Sequence, residues 1–142
     1  SRPCEIGGKA MADVFKLEVI TPDKTFYQGE AQMVELTTTE GQIGVYARHI
    51  PLTAIVAPGI LKIHEGSEVK KATLMAGFIQ VMPEQVTIMA EVAEWPEEID
   101  EKRAQEAKGR AEKRLSGGGA ELDVARAELA LKRALVRLEA RR

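Results

Sequence analysis

Residues 99–115 of this 142-residue chain read IDEKRAQEAKGRAEKRL, and residues 122–138 read LDVARAELALKRALVRL. The second segment repeats the first 23 residues later, with identical residues at eight of the 17 paired positions. The identities recur at spacings of three and four residues, which places them on one side of an α-helix. Each segment is therefore predicted to be a helix.

The stretch between the two segments predicts how they are arranged. It contains Ser116 followed by three glycines, which a helix interior disfavours and which lets the chain reverse direction. We therefore expect residues 97–142 to form an antiparallel two-helix hairpin. Small side chains should form its seam, with Ala104, Ala107 and Ala111 of the first helix facing Leu129, Ala130 and Leu138 of the second.

Arginines recur along both predicted helices at spacings of seven and four residues. They are Arg103, Arg110 and Arg114 in the first helix and Arg126, Arg133 and Arg137 in the second. One interpretation is a solvated surface on which pairs such as Glu106 and Arg110 contribute ~0.2–0.5 kcal/mol each. The other is a polyphosphate site, because guanidinium groups match phosphate oxygens with two parallel hydrogen bonds.

The chain divides at Pro96 into two parts of different composition. Residues 1–96 contain 8 basic and 12 acidic groups and every aromatic residue, whereas residues 97–142 contain 12 basic and 10 acidic groups and no aromatic residue. Such a shift marks a boundary between a core-bearing domain and an appendage. Met11-Ala12-Asp13 is typical of a natural start, so we expect residues 1–11 to be a cloning remnant and the start, and residues 12–96 to be the domain.

The sequence offers little that predicts catalysis or metal binding. Its single cysteine, Cys4, cannot form an internal disulfide, and its two histidines, His49 and His64, belong to no metal-ligand or catalytic spacing. No run of 18 apolar residues predicts a membrane span. We therefore expect no catalytic residue, no metal site and no direct insertion into a membrane.

Residues 14–90 alternate between apolar and polar side chains in short segments separated by turn residues, which is typical of all-β structure. Strands are predicted at residues 15–20, 25–28, 31–38, 42–45, 52–56, 59–64, 69–75, 78–82 and 86–91. About nine to ten short antiparallel strands favour a β-sandwich or a flattened barrel. The predicted fold class is thus β + α, an antiparallel β-sandwich followed by a helical hairpin.

Several motifs resemble the epsilon subunit of bacterial F-type ATP synthases, over the whole chain from about Ala12. They are EGQIGV at residues 40–45, HIPL at 49–52, PG at 58–59, AGF at 76–78 and RAELALKRA at 126–134, of which the last is the most specific. IDEKRA at 99–104 resembles the Ile/Leu-Asp-x-x-Arg-Ala motif through which some epsilon subunits bind ATP, and LDVARA at 122–127 fits the same pattern. The chain departs from the family at Tyr46-Ala47-Arg48, where Leu/Tyr-Pro-Gly is usual.

The resemblance implies a non-catalytic subunit of the central stalk, at the cytoplasmic face of the bacterial cell membrane. It implies a β-sandwich that docks on the gamma subunit and the c-ring. It also implies a hairpin that either folds down on the sandwich or extends toward the catalytic beta subunit, where it blocks ATP hydrolysis. ATP would be a regulatory ligand and not a catalytic cofactor.

The resemblance also implies which residues contact ATP. Transferred position by position, the family's contacts fall on Glu94, Ile99, Asp100, Arg103, Ala104, Arg133 and Arg137, with Arg110 and Arg126 nearby. Arg133 and Arg137 would hold phosphate oxygens, while Asp100 or Glu94 would accept hydrogen bonds from adenine, ribose or a neighbouring guanidinium. An antiparallel hairpin should place Arg103 beside Arg133 and Arg137, and Arg126 near the turn.

Two other functions remain open at the level of sequence. One is a purely structural coupling subunit that never binds nucleotide. The other is a nucleic-acid-binding hairpin, since arginine-lined helices also fit phosphate backbones. The ten carboxylates of residues 97–142 and their lack of an aromatic side chain for base stacking disfavour that function.

Overall fold

A computed structural model describes residues 14–48, 50–117 and 119–142 of the chain. The strands are β1 (Phe15–Ile20), β2 (Thr25–Ala31), β3 (Met33–Thr38), β4 (Gly41–Tyr46), β5 (Leu52–Val56), β6 (Gly59–Glu65), β7 (Glu68–Leu74), β8 (Gly77–Val81), β9 (Gln85–Ala90) and β10 (Ala93–Glu94). A 3₁₀ turn (Pro96–Glu98) leads to α1 (Glu101–Gly117) and α2 (Glu121–Ala140). The predicted sandwich followed by a helical hairpin is confirmed.

The strands form one hydrogen-bonded sheet that folds over into a sandwich. Its order is β10-β7-β6-β3-β5-β8-β9-β1-β2, with β4 paired to β3. The pairs are antiparallel except β1 and β9, which run parallel. That single pair differs from the predicted antiparallel sheet, because a parallel pairing joins strands far apart in the chain and leaves no local sequence signal.

Alternating apolar residues of the strands supply the core. Phe15, Leu17 and Val19 of β1 all point inward and are almost fully buried, as are Ile79 and Val81 of β8. A strand sends successive side chains to opposite faces, so β1 and β8 contribute every second residue to the space between the layers. The core therefore lies within residues 14–94, and no described residue of the two helices contributes to it.

The predicted strands agree with the observed ones to within one residue at each end, apart from the β2–β3 boundary and β10. Ala31 ends β2, whereas the alternation had placed it at the start of the next strand. The two-residue strand β10 was not among the nine predicted segments, because two residues are too few to show a period of two. Its Glu94 is nevertheless fixed by pairing with Thr73 of β7.

The turn after β4 contains Arg48 where the family pattern noted above has glycine. Arg48 adopts φ +61°, the left-handed conformation that glycine adopts more easily. Its backbone N–H donates to the carbonyl of Pro83 at 3.0 Å, which holds the turn against the β8–β9 connection. His49, Cys4 and Met11 lie outside the described residues.

The two helices begin in different ways despite their repeated sequences. Asp100 precedes α1 and its carboxylate accepts a hydrogen bond from the backbone N–H of Arg103 at 3.1 Å, a helix N-cap. Asp123, its counterpart in the repeat, instead lies inside the first turn of α2, which starts at Glu121 after Ala120. The repeat therefore predicts the two helices but not equivalent ends.

An alanine seam joins the helices. Ala104 and Ala111 of α1 and Ala127 and Ala134 of α2 are buried, each pair seven residues apart. The prediction that Leu129 joins the seam is wrong, because Leu129 is 42% exposed. It follows Ala127 by two residues, roughly 200° around the helix, and so lies on the far side.

The hairpin is folded down on the sandwich. Helix α2 lies against β6 and β7, with Val136 and Ala140 buried. Just before the 3₁₀ turn, the ring of Trp95 stacks on that of Phe26 at a centroid distance of 4.4 Å, which anchors the connection to the sandwich. This is one of the two arrangements that the resemblance implies.

Within residues 14–48, 50–117 and 119–142, no helix is long and apolar enough to cross a membrane. In the same ranges, no three His, Cys, Asp or Glu residues come together in a way that could hold a metal ion.

Candidate functional site

A cleft of about 320 Å³ lies where the start of α1 meets the end of α2 and the segment that leaves β10. It is lined by Glu94, Glu98, Ile99, Asp100, Arg103, Ala104, Ala107, Arg110 and Arg137. Three arginines and three carboxylates therefore share one concave surface. The antiparallel hairpin creates this arrangement because it brings the first turns of α1 beside the last turns of α2.

Glu94 forms the wall of the cleft nearest the sandwich. Its Oε1 atom accepts a hydrogen bond from Thr73 Oγ1 at 3.1 Å and an ion-paired hydrogen bond from Arg137 Nε at 2.9 Å. The Glu94 and Arg137 side chains are 26% and 30% exposed. One carboxylate oxygen thus connects a buried strand residue with the end of α2.

The other two carboxylates accept hydrogen bonds from backbone N–H groups. Glu98 Oε1 accepts a hydrogen bond from the N–H of Trp95 at 2.8 Å, and Asp100 caps α1 as described. Both contacts are local and fix the carboxylates at the rim of the cleft. Each acidic side chain therefore keeps at least one further oxygen lone pair available as an acceptor.

The arginines in and beside the cleft have fewer hydrogen-bond and ionic partners in the described ranges than its carboxylates have. Arg103 and Arg110 are exposed and form no ion pair with any residue in the described part of the chain. Arg133 lies one helical turn before Arg137, and its Nε atom is buried with no hydrogen-bond partner among the described residues. Buried guanidinium N–H groups without partners are costly, so this atom marks a place where an acceptor would be favourable.

The structure brings most of the predicted ATP contacts together. Of the predicted residues, Glu94, Ile99, Asp100, Arg103, Ala104, Arg110 and Arg137 line the cleft, whereas Arg133 and Arg126 do not. Arg126 lies near the turn end of α2 and is exposed. The hairpin geometry predicted from the sequence therefore separates Arg103 from its repeat counterpart Arg126.

Two lining residues were missed by sequence reasoning. Ala107 had been assigned only to the seam, although its spacing of three and four residues from Ala104 and Ala111 already placed it on the same helix face. Glu98 gave no signal beyond its position one residue before Ile99. Its role depends on the 3₁₀ turn, which the sequence pattern did not predict.

Two further polar clusters lie on the sandwich, away from the cleft. His64 Nε2 and Glu35 Oε1 are 2.8 Å apart across β3 and β6. The hydroxyl of Tyr27 donates to Glu65, which is also paired with Lys70 at 3.3 Å. Burial, followed by the hydrogen bond to Glu65 and its negative charge, raises the pKa of Tyr27 above its ordinary value. The His64–Glu35 contact joins the paired strands β3 and β6, whereas the Tyr27–Glu65 hydrogen bond joins β2 and β6, which are not neighbours in the sheet. None of these residues lines the cleft.

Comparison with known protein families finds two family models that match this chain. Residues 14–96 match the model of the ATP synthase delta/epsilon chain beta-sandwich domain, and residues 97–141 match the model of its long alpha-helix domain. The chain belongs to the ATP synthase delta/epsilon chain family. As a member of that family, it is a non-catalytic subunit of ATP synthase.

Individual members of the delta/epsilon family are similar over nearly the whole chain. The ATP synthase epsilon chain of Clostridium novyi is 48% identical over 130 residues, covering 91% of this chain and 98% of the relative. That of Halalkalibacterium halodurans is 47% identical over 124 residues, covering 87% and 93%. The family assignment thus applies to both the sandwich and the hairpin.

Solved structures show the same fold. A chain in the mitochondrial ATP synthase of Euglena gracilis, in a structure of OSCP, F1 and c-ring, is 28% identical with a TM-score of 0.78, covering 89% of this chain and 80% of that one. A chain in the central stalk and c-ring of the Tetrahymena thermophila enzyme shares the fold with a TM-score of 0.62 at 18% identity, covering 90% and 96%.

Proposed function

We propose that the chain is a rotor subunit whose folded hairpin binds ATP in the cleft between α1 and α2, and that this binding regulates hydrolysis by the assembled enzyme. The main support for the proposal is the arrangement of four arginines. Arg103, Arg110 and Arg137 converge on a single cleft from two helices. A fourth arginine, Arg133, lies one turn before Arg137 and has a buried donor without a partner among the described residues. A triphosphate offers the several acceptor oxygens that such donors need.

The remaining lining suits the other parts of ATP. The carboxylates of Glu94, Glu98 and Asp100 can accept hydrogen bonds from an amino group or from ribose hydroxyls. Ile99 and the alanines supply a small apolar surface. The cleft volume of about 320 Å³ lies at the lower end of the ~300–1,000 Å³ range of small-molecule sites.

Regulation would follow from the position of the site. The cleft needs both ends of the hairpin and Glu94 of the sandwich, so it is complete only when the hairpin is folded down. ATP would therefore favour this form over an extended one, because a ligand stabilises the state that it binds. The extended hairpin would carry α2 to the catalytic beta subunit and block hydrolysis.

The partners proposed for the sandwich are the gamma subunit and the c-ring. Support comes from similar chains in structures that contain the F1 part, central stalk and c-ring of mitochondrial enzymes. The location proposed for the chain is peripheral, at the cytoplasmic face of the bacterial membrane, and is supported by the similarity to bacterial epsilon chains. A purely structural subunit that never binds nucleotide would share these partners.

Calorimetric titration of ATP into the isolated protein tests the proposal. Arg103→Ala should weaken binding by roughly ten- to a hundred-fold, since a charge-assisted hydrogen bond contributes ~1.5–3 kcal/mol. Arg126→Ala is the matched control, because Arg126 occupies the equivalent position of the repeat but lies outside the cleft. No heat of binding in the unmodified chain would favour the purely structural subunit, and equal losses in both variants would place the site elsewhere.

A further inference from the structure

Thr73 is a buried polar residue that neither the repeat nor the family motif indicates. It lies on β7, is fully buried, and its hydroxyl lies 3.4 Å from the Glu94 carbonyl and 3.1 Å from Glu94 Oε1. Strand pairing also places Thr73 directly opposite Glu94. Among the described residues, both hydrogen-bond acceptors of the hydroxyl belong to Glu94, and the shorter contact is to its side chain.

The same carboxylate oxygen also holds α2. Arg137 Nε donates to Glu94 Oε1 at 2.9 Å, so Thr73 and Arg137 meet at one atom. A second contact closes the hairpin nearby, where Arg141 Nη1 donates to the carbonyl of Pro96 at 3.2 Å. The end of α2 is thus connected to the sheet through Arg137, Glu94 and Thr73. Arg141, the residue that follows α2, connects it to the start of the 3₁₀ turn.

We propose that Thr73 is a positioning residue for a latch between Glu94 and Arg137, which holds the folded hairpin on the sandwich without nucleotide. Its hydroxyl fixes the Glu94 carboxylate in the orientation that receives the guanidinium. Without that hydrogen bond the partly exposed carboxylate turns toward water, and the ion pair loses its fixed geometry. The inference rests on the mobile hairpin of the proposed function, but it does not require that ATP binds.

The latch assigns a different role to Glu94 from that of the cleft arginines. Its Oε1 atom serves the hairpin, whereas Oε2 has no hydrogen bond to a residue in the described part of the chain. Loss of the latch therefore lowers the population of the folded hairpin, and any effect on ATP binding follows from that change. Loss of Arg103 acts on ATP directly and leaves the folded hairpin in place.

Amide hydrogen exchange in the full chain without nucleotide tests the latch. Thr73→Val keeps the shape of a β-branched strand residue and removes the hydroxyl, and it should accelerate exchange in residues 122–140 about ten-fold. Thr73→Ser keeps the hydroxyl and should restore most of the protection. Thr38→Val is the control, because Thr38 is also buried on a strand, and among the described residues its hydroxyl bonds only to Gly41 and Glu40 and not to the hairpin.

A double-mutant cycle separates the latch from a general loss of stability. Because Thr73 and Arg137 act through the same oxygen, Thr73→Val should add little to the exchange rate of Arg137→Ala. Exchange in the strands reports whether the sandwich remains folded. The latch is wrong if Thr73→Val leaves residues 122–140 as protected as Thr38→Val does, or if the two changes are additive. ATP binding to the unmodified chain is a separate measurement, so a failed latch and a failed ATP site give different results.

Discussion

Single arginines that look equivalent in the sequence have different environments. Arg103 and Arg126 occupy the same position of the repeat, yet only Arg103 lines the cleft. Arg133 and Arg137 are neighbours on α2, yet only Arg137 has an ionic partner among the described residues. The function of each guanidinium is therefore decided by which end of the hairpin it occupies and by what the sandwich presents to it.

We expect Tyr27 to make the sandwich less stable at alkaline pH. Its pKa is raised above the ordinary value of 10.0, chiefly by burial and then by Glu65, so the folded state holds the phenolic proton more tightly than the unfolded chain. This contribution is complete below pH 10 and is lost as the pH rises toward the pKa of the folded state. We expect the urea midpoint to fall as the pH rises above about 10.

The variant Tyr27→Phe isolates that effect, because it removes the titrating group and keeps the ring beside Trp95. Its urea midpoint should change less over the same pH interval. Tyr46→Phe is the control, since Tyr46 is exposed. Parallel pH profiles for the unmodified chain and Tyr27→Phe would show that another group causes the alkaline loss.

At this scale the sequence predicts residue types better than residue partners. The arginines, Asp100 and Glu94 could be nominated from spacing and resemblance. Thr73 could not, because it lies on a strand about twenty residues before Glu94 and meets it only through the β7–β10 pairing. The unequal roles of Asp100 and Asp123 were also hidden, since a helix start depends on the chain before it and not only on the repeated segment.

At the scale of elements, helix α1 contains a residue that weakens it without an evident structural reason. Gly109 lies in the middle of α1, and a Cβ atom there would meet nothing within 4 Å. Glycine in a helix interior costs about 0.8–1 kcal/mol relative to alanine. Gly109→Ala should therefore slow amide exchange in α1 about four-fold.

Gly119 provides the comparison for Gly109. It has φ +135° in the connection between the helices, a conformation that side chains rarely adopt, so Gly119→Ala should destabilise the hairpin although its Cβ would also meet nothing within 4 Å. The two variants should therefore change helix stability in opposite directions, and this difference follows from backbone conformation alone. If Gly109→Ala does not slow exchange in α1, helix propensity does not limit the stability of that helix.

Elements with a clear period were predicted well, and the exceptions have physical reasons. Nine strands and both helices follow from alternation, from three- and four-residue spacing and from turn residues. The parallel pairing of β1 with β9 arises from the global path of the chain, and the exposed Leu129 arises from the exact helix face that forms the seam. Local patterns contain neither kind of information.

At the scale of the whole molecule, the sandwich and the hairpin contribute unequally to stability. The large buried aliphatic residues belong almost entirely to the strands, while the seam of the hairpin consists of alanines. A chain that ends after Pro96 should therefore fold alone and unfold in one cooperative thermal transition, because its core and the Trp95–Phe26 contact are retained. A truncated chain without β structure by circular dichroism would show that the hairpin is part of the core.

The most direct test of the account is amide exchange in residues 122–140 of the isolated full chain, with and without ATP. If the folded hairpin binds ATP, a concentration of about 100 times the dissociation constant stabilises it by ~2.7 kcal/mol, which corresponds to roughly hundred-fold slower exchange through the opening of the hairpin. We expect this slowing in α2, with little change in the strands of the sandwich. Equal exchange rates in α2 with and without ATP would contradict it.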